Sequence, residues 1–300
     1  MWTPQRFALL RTERMRPVYD LLSRVPNKLQ GVTPSIIDVG CGMGAGSKIL
    51  LERFPSAKLL CIDKDEARLK RAEEDEVLSS RDLVQFKHES AEDYFADVTG
   101  PLYDLVFSNA ALHWCEDLPG LSSKMFSRVR PGGVLAIQVP KNEDLRNLFR
   151  EAATELGMPV AALKMPMSSA DPEEYANALL GRSCSSLDMW STTTVHCLSG
   201  DDAVYHFIKN TFDGRQAMGM HGFEDVSDEA NSNPKAETYP KKFRPKPVNS
   251  VEPEDFQELC RLKCAEAFPP LKNGTTLLPF TRMFLVARRH GLLDLSLIHI

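Results

Sequence analysis

The chain has 300 residues, 43% of them hydrophobic and 26% charged, which is enough apolar material for one large domain or a domain carrying an insertion. A formal charge of −5 and a pI near 5.9 exclude the basic field that would draw the whole surface onto nucleic acid or anionic lipid, so any anion binding has to be local. Seven cysteines without paired CxxC spacing point to a reducing compartment; no run approaches the ~20 apolar residues of a membrane span, and the Arg- and Glu-bearing start lacks a signal-peptide core, so a cytoplasmic location is expected.

From 36 to 139 short apolar runs alternate with charged helical periods, the signature of βαβ units and a parallel sheet flanked by helices. Strands are predicted at Ile36–Val39, Lys58–Ile62, Leu83–Phe86, Tyr103–Phe107 and Val134–Val139. Helices are predicted at Ser47–Phe54, Glu66–Leu78 and Leu118–Val129, the last stopped by the RPGG at 130–133. Glu143–Leu156 and Pro172–Leu180 read as helices, and Leu187–Leu198 and Arg282–Arg288 as strands that can complete the sheet. Gly222–Pro253 is polar, proline-rich and nearly devoid of aliphatic residues, a composition that predicts a mobile surface insertion. The ending Ser296–Ile300 resembles read-through of a sequencing adaptor and is set aside as non-native.

The stretch IIDVGCGMGAG, residues 36–46, meets Asp38 and then carries glycines at 40, 42, 44 and 46. A strand that runs through glycines into a helix brings backbone N–H groups and the positive helix end to a ligand, and the missing Cβ atoms allow close approach. Gly40, Gly42 and Ala45 satisfy GxGxxG/A, which suits a nicotinamide or flavin dinucleotide; S-adenosylmethionine is the other ligand class that uses this geometry. Asp38 separates the two, because an acid two residues before the first glycine suits a cationic amino acid moiety and sits badly beside a pyrophosphate. Asp63, closing the second strand, can accept both ribose hydroxyls of either cofactor, or simply cap the helix that follows.

DVGCGMG, CID after the second strand, YDLVFSNAALHW at the fourth and RPGGVLAIQVP at the fifth resemble the class I S-adenosylmethionine-dependent methyltransferases, and within them the trans-aconitate methyltransferase family. ERMRPVYDLLSRVP, LDMWSTTTVHCLSG and PLKNGTTLLPFTRMFLVARR are similar to that family's first helix, late strand and closing strand, so the likeness spans most of residues 2–290 outside the insertion. The resemblance implies an α/β, Rossmann-like doubly wound sheet of seven strands, the last antiparallel, with helical cap insertions. Residues 1–140 would hold an N-terminal helix and the cofactor-binding core, and 141–290 the helical cap and sheet-completing strands of the same domain. S-adenosyl-L-methionine is the implied co-substrate, with Asp38, Gly40 and Gly42 on its methionine portion, Asp63 on the ribose, and Gly44, Lys64, Ser90, Ala91 and Asn109 completing the set. Ser90 departs from the family, which commonly has an aspartate there on the adenine amino group.

Methyl transfer is an in-line displacement, so the protein mostly aligns the reactants and the acceptor decides what else is needed. Asn109-Ala110-Ala111-Leu112 stands where amine methylases typically place Asn/Asp-Pro-Pro-aromatic, which disfavours an amine acceptor. A hydroxyl needs a base, for which His113 or His196 with an ordinary pKa near 6.5 would serve; a carboxylate, already ionised, needs none. A polycarboxylate needs cations on its non-reacting carboxylates, preferably arginine for its bidentate fork. The family-matched residues are Arg16, His196 and Arg282, together with Arg215, whose TFDGRQ slips by one residue against the family's glycine-leucine-arginine-proline pattern. Thr194 and Val195 stand where the family has aromatic residues before His196. Each also has a plain reading: an arginine is usually a solvated surface residue and a strand histidine a packing residue, while Trp114 and Trp190 read as packing and Cys41 as a small filler. The expected activity is carboxyl O-methylation of trans-aconitate or a related small polycarboxylate, by a monomer or weak homodimer with no nucleic-acid, membrane or metal partner. The alternatives are an O-methyltransferase acting on a hydroxyl or another small acid, and a non-catalytic S-adenosylmethionine-binding protein.

Overall fold

The computed structural model describes residues 15–160, 163, 171–181, 183–211 and 253–291. Arg215, nearly all of the 222–253 segment and the tail 296–300 lie outside the described residues. The chain runs as α1 (15–22), β1 (Ser35–Val39), α2 (Ala45–Arg53), β2 (Lys58–Asp63), α3 (Glu66–Glu73), α4 (Glu76–Ser79), β3 (Val84–His88), α5 (Ala91–Tyr94), β4 (Tyr103–Asn109), a 3₁₀ turn (Leu112–Trp114), α6 (Leu118–Ser127) and β5 (Val129–Pro140). It continues through α7 (Glu143–Glu155), α8 (Pro172–Leu179), β6 (Cys184–Ser199), α9 (Ala203–Thr211), α10 (Pro253–Ala267) and β7 (Thr275–Arg289).

The seven strands form one sheet in the order β3-β2-β1-β4-β5-β7-β6, and β7 runs antiparallel to β5, as the resemblance implied. β1 and β4 are apolar and buried on both faces, the expected pattern for strands covered by helices on each side. On one face Ile36, Leu105, Phe107, Val134, Ala136, Phe284 and Val286 meet Val18, Leu21 and Leu22 of α1 and Ile49, Leu50 and Leu51 of α2. On the other, Ile37, Val39, Val106, Leu135, Ile137 and Leu285 meet Leu121, Met125 and Phe126 of α6 and Tyr175 and Leu179 of α8.

The closing strand β7 begins at Thr275 rather than Arg282, and two other differences from the sequence reading have a local cause. The helix expected over Glu66–Leu78 is broken, because the Asp75 carboxylate accepts from the Val77 and Leu78 N–H groups and so caps a new helix, held by an ion pair with Lys48 (2.5 Å). The RPGG at 130–133 does not precede the fifth strand but lies inside β5: the β4–β5 register jumps from Tyr103↔Val129 to Leu105↔Val134, leaving these residues as a bulge. Gly133 suits that bulge because a Cβ there would stand 2.9 Å from the Asp104 carbonyl oxygen. The helices α9 and α10 have no counterpart in the sequence reading.

The described residues group into two compact units, one within Met1–Pro140, Met167–Thr192 and Arg282–Ile300, the other within Lys141–Pro166 and Thr193–Thr281. In the second unit α10 packs on α7 and α9, and the buried Lys263 Nζ donates to Glu155 Oε1 (2.8 Å). No helix among the described residues is long and apolar enough to cross a membrane.

Candidate functional site

Strand alternation and register gather the candidate residues of the first unit on one sheet face. Asp38 shares the face of Ile36, and Asp63 that of Cys61. Asn109 follows Leu105 and Phe107 and pairs with Gln138, which follows Val134 and Ala136 and pairs in turn with Phe284. Arg282 lies opposite Pro140, on the Phe284 side. All of them stand at the carboxyl ends of the parallel strands, where open α/β sheets bind ligands.

The glycine loop is held by its own chain. Gly40 and Cys41 N–H donate to the Ile62 carbonyl (2.8 and 3.0 Å), Gly44 N–H to the Cys41 carbonyl (3.0 Å), and Gly42 N–H to Asp63 Oδ2 (2.7 Å). These four N–H groups therefore shape the loop rather than point free at a ligand, which corrects the sequence expectation. The glycines also divide by role: a Cβ at Gly40 or Gly44 would collide with Ala111 or Leu78, so those two serve packing. At Gly42 a Cβ would meet nothing within 4 Å, and its φ of 57° is one that L side chains rarely adopt. Only Gly42 of the three keeps its surface open for a ligand.

Asp38 is 2% exposed, and its Oδ2 accepts from Ser47 Oγ (2.6 Å). Burial pushes its carboxyl up to about 7, against the Ser47 hydrogen bond and with the charge of Asp63 adding to the rise. A carboxylate so placed gains from a cation brought beside it. Asp63 has Oδ2 on Gly42 N–H and Oδ1 on Asp65 N–H (2.8 Å), leaving each oxygen a further lone pair. The Cys41 thiol is pushed well up by its hydrogen bond to Cys61 and by burial, so it stays protonated.

Glu89 N–H donates to the Asp63 carbonyl (3.1 Å) and His88 pairs with Asp63 in the ladder, which sets Lys64, Ser90 and Ala91 beside the Asp63 corner. Ser90 caps α5: its Oγ accepts from Asp93 N–H (3.0 Å) and donates to Asp93 Oδ2 (2.7 Å). Asp93 thus brings a carboxylate next to the departing serine, a residue the sequence reading passed over although it stands three positions beyond Ser90. His113 is buried, its Nδ1 has no hydrogen-bond partner among the described residues, and burial and then the Lys64 charge lower its pKa to about 4. It is neutral at pH 7.

The remaining described candidates are Arg16 and His196. Arg16 is on an exposed position of α1. His196 belongs to the second unit, buried with its ring 5.1 Å from that of Phe207 and 5.7 Å from that of Phe280. Trp190 stacks on Phe284 (4.9 Å) and takes the Arg24 guanidinium over its ring (5.1 Å), which is packing. A groove of about 480 Å³ lined by Ser23, Asn27, Asp188 and Arg288 contains none of the candidate residues. No cluster of metal-ligating side chains occurs among the described residues.

Residues 37–137 match a family model described as a methyltransferase domain. The chain is 30% identical to a trans-aconitate 2-methyltransferase of Methylobacterium nodulans over 96% of its own length and 98% of the relative's, and 31% identical to one of Streptomyces coelicolor over 96% and 86%. The crystal structure of the YcgJ protein of Bacillus subtilis shares the fold at 10% identity, with a TM-score of 0.53 over 92% of this chain and 99% of that one. The site's own features fit the same co-substrate: a buried acid suited to a cation, an open glycine, and a carboxylate with lone pairs to spare for hydroxyls. The chain therefore belongs to the class I S-adenosylmethionine-dependent methyltransferases.

Proposed function

We propose that this enzyme methylates one carboxylate of trans-aconitate, or of a closely related small polycarboxylate, to the monomethyl ester. The observation that carries this reading is the likeness to trans-aconitate 2-methyltransferases along 96% of the chain. S-adenosylmethionine supplies a methyl group on a sulfonium: the carboxylate oxygen's electron pair forms the new O–C bond, the C–S pair stays on sulfur, S-adenosylhomocysteine leaves and no proton moves. In this reading Asp38 and the Gly40–Gly44 loop receive the cationic methionine portion, Asp63 the ribose hydroxyls, and Lys64, Ser90 and Ala91 border the adenine. Arg282 and Arg16 supply positive charge for the carboxylates that do not react.

The state of His113 supports a carboxylate over a hydroxyl acceptor. A base with a pKa near 4 has little driving force to take a proton from an alcohol at neutral pH, whereas a carboxylate is ionised already. Incubation with methyl-labelled S-adenosylmethionine and a panel of di- and tricarboxylates, scoring alkali-labile methyl ester, is the test. Ester on a small polycarboxylate is the expected result; label that appears only on hydroxyl compounds, as alkali-stable ether, would sink the proposal.

A further inference from the structure

Gln138 has no role in anything derived so far. It stands two residues from the end of β5, 1% exposed, and neither its Nε2 nor its Oε1 has a hydrogen-bond partner among the described residues. A fully buried amide left unsatisfied on both atoms is rare, and in a native protein it calls for a ligand or a reason. Asn109, in direct register on β4, likewise has its Oδ1 buried without a partner. Both side chains lie on the Asp38 face of the sheet, and β4 separates β1 from β5 in the strand order. At about 4.8 Å per strand Gln138 is therefore roughly 10 Å across the sheet from the strand of Asp38, beside the cofactor corner and not within it.

We infer that the Gln138 amide, next to Asn109, binds the reacting carboxylate of the acceptor. This rests on the polycarboxylate reading above and names the group that meets the attacking end of the substrate. The chemistry favours an amide at that place. Attack of an anion on a sulfonium neutralises charge, so a tight cationic contact on the attacking oxygen would stabilise the ground state more than the transition state. A neutral N–H donor in a dry site orients the carboxylate without that penalty, and leaves the arginines to the spectator groups.

The test uses Gln138→Met, which keeps the shape and removes both polar atoms, and Gln138→Glu, which keeps the shape and adds a charge. For Gln138→Met the apo melting temperature should not fall, S-adenosylhomocysteine affinity by calorimetry should stay within about twofold, and KM for the acid should rise at least about tenfold. Gln138→Glu should lose more of kcat/KM than Gln138→Met at pH 8, since like charges then face each other, and it stands as the test if Gln138→Met fails to fold. An acid KM unchanged in either folded variant overturns the assignment while leaving the polycarboxylate reading intact. Loss of cofactor affinity in parallel with KM also overturns it, by placing Gln138 in the cofactor site. Absence of ester from the wild-type enzyme with every polycarboxylate overturns the reading and this inference together.

Discussion

Asp38 shows how one residue couples the fold to its ligand. Its carboxyl, ordinarily near 3.8, is raised to about 7 in the folded protein, so between those values the folded state holds a proton that the unfolded chain releases. Stability from this group therefore declines as pH rises through that window, and the full penalty of the buried charge is present above about pH 7. Asp38→Asn removes it: the apo variant should gain about 4 kcal/mol at pH 8, and progressively less towards pH 4, in denaturant titrations. The same variant should bind S-adenosylmethionine more weakly, and wild-type affinity should increase from pH 6 to pH 8 as the carboxylate forms. His113 revises a different expectation. With a pKa near 4, general-base action by this histidine would leave kcat flat from pH 6.5 to 9, just as a carboxylate nucleophile would, so a pH profile in the ordinary histidine range does not separate the two. A solvent isotope effect on kcat does: no proton is in flight when a carboxylate attacks, and the value should be near unity in the wild type and in His113→Asn alike.

At the scale of elements, the strand–loop–helix run from β1 into α2 was legible because all its determinants are local: an apolar run, four glycines, then a helix-forming stretch. The β5 bulge was not. Pro and Gly at 131–133 carry the same local signal whether a helix is ending or a strand is bulging, and only pairing with β4 and β7 decides between them. Gly133→Ala should destabilise the protein by about 1–3 kcal/mol, because two of the three nearest atoms, the carbonyl oxygens of Asp104 and Arg130 at 2.9 and 3.0 Å, are backbone and cannot swing away. Thermal melts of the apo protein measure this. Between α7 and α10, Lys263→Met would strand the buried Glu155 carboxylate and should cost about 3 kcal/mol, while the double variant with Glu155→Leu should recover most of that loss.

For the whole molecule, a co-substrate that binds only the folded state adds to its stability by mass action. S-adenosylhomocysteine at about a hundred times its Kd should raise the unfolding free energy by about 2.7 kcal/mol, and dialysis should reverse the shift completely. The net charge of −5 is not a field that attracts a polyanionic acid, so acceptor binding has to come from local groups. In the proposed reading two kinds share one sheet face: the Arg282 cation beside the end of β5, and the neutral Gln138 amide.

By itself the sequence determined the parallel βαβ core, the glycine loop, and the acids Asp38 and Asp63 at the ends of the first two strands, while the seven-stranded class came with the family resemblance. Periodicity, turn residues and a strand–glycine–helix order are properties of neighbouring residues and survive without tertiary information. The tertiary structure alone decided the properties of those residues. Gly42 is open while Gly40 and Gly44 are filled by Ala111 and Leu78, residues far along the chain. The raised carboxyl of Asp38 and the lowered imidazole of His113 follow from burial and from the charges of Asp63 and Lys64, which folding sets near them. Gln138, an unremarked residue in an apolar strand, stands out because folding removes water from both ends of its amide and no partner replaces it among the described residues.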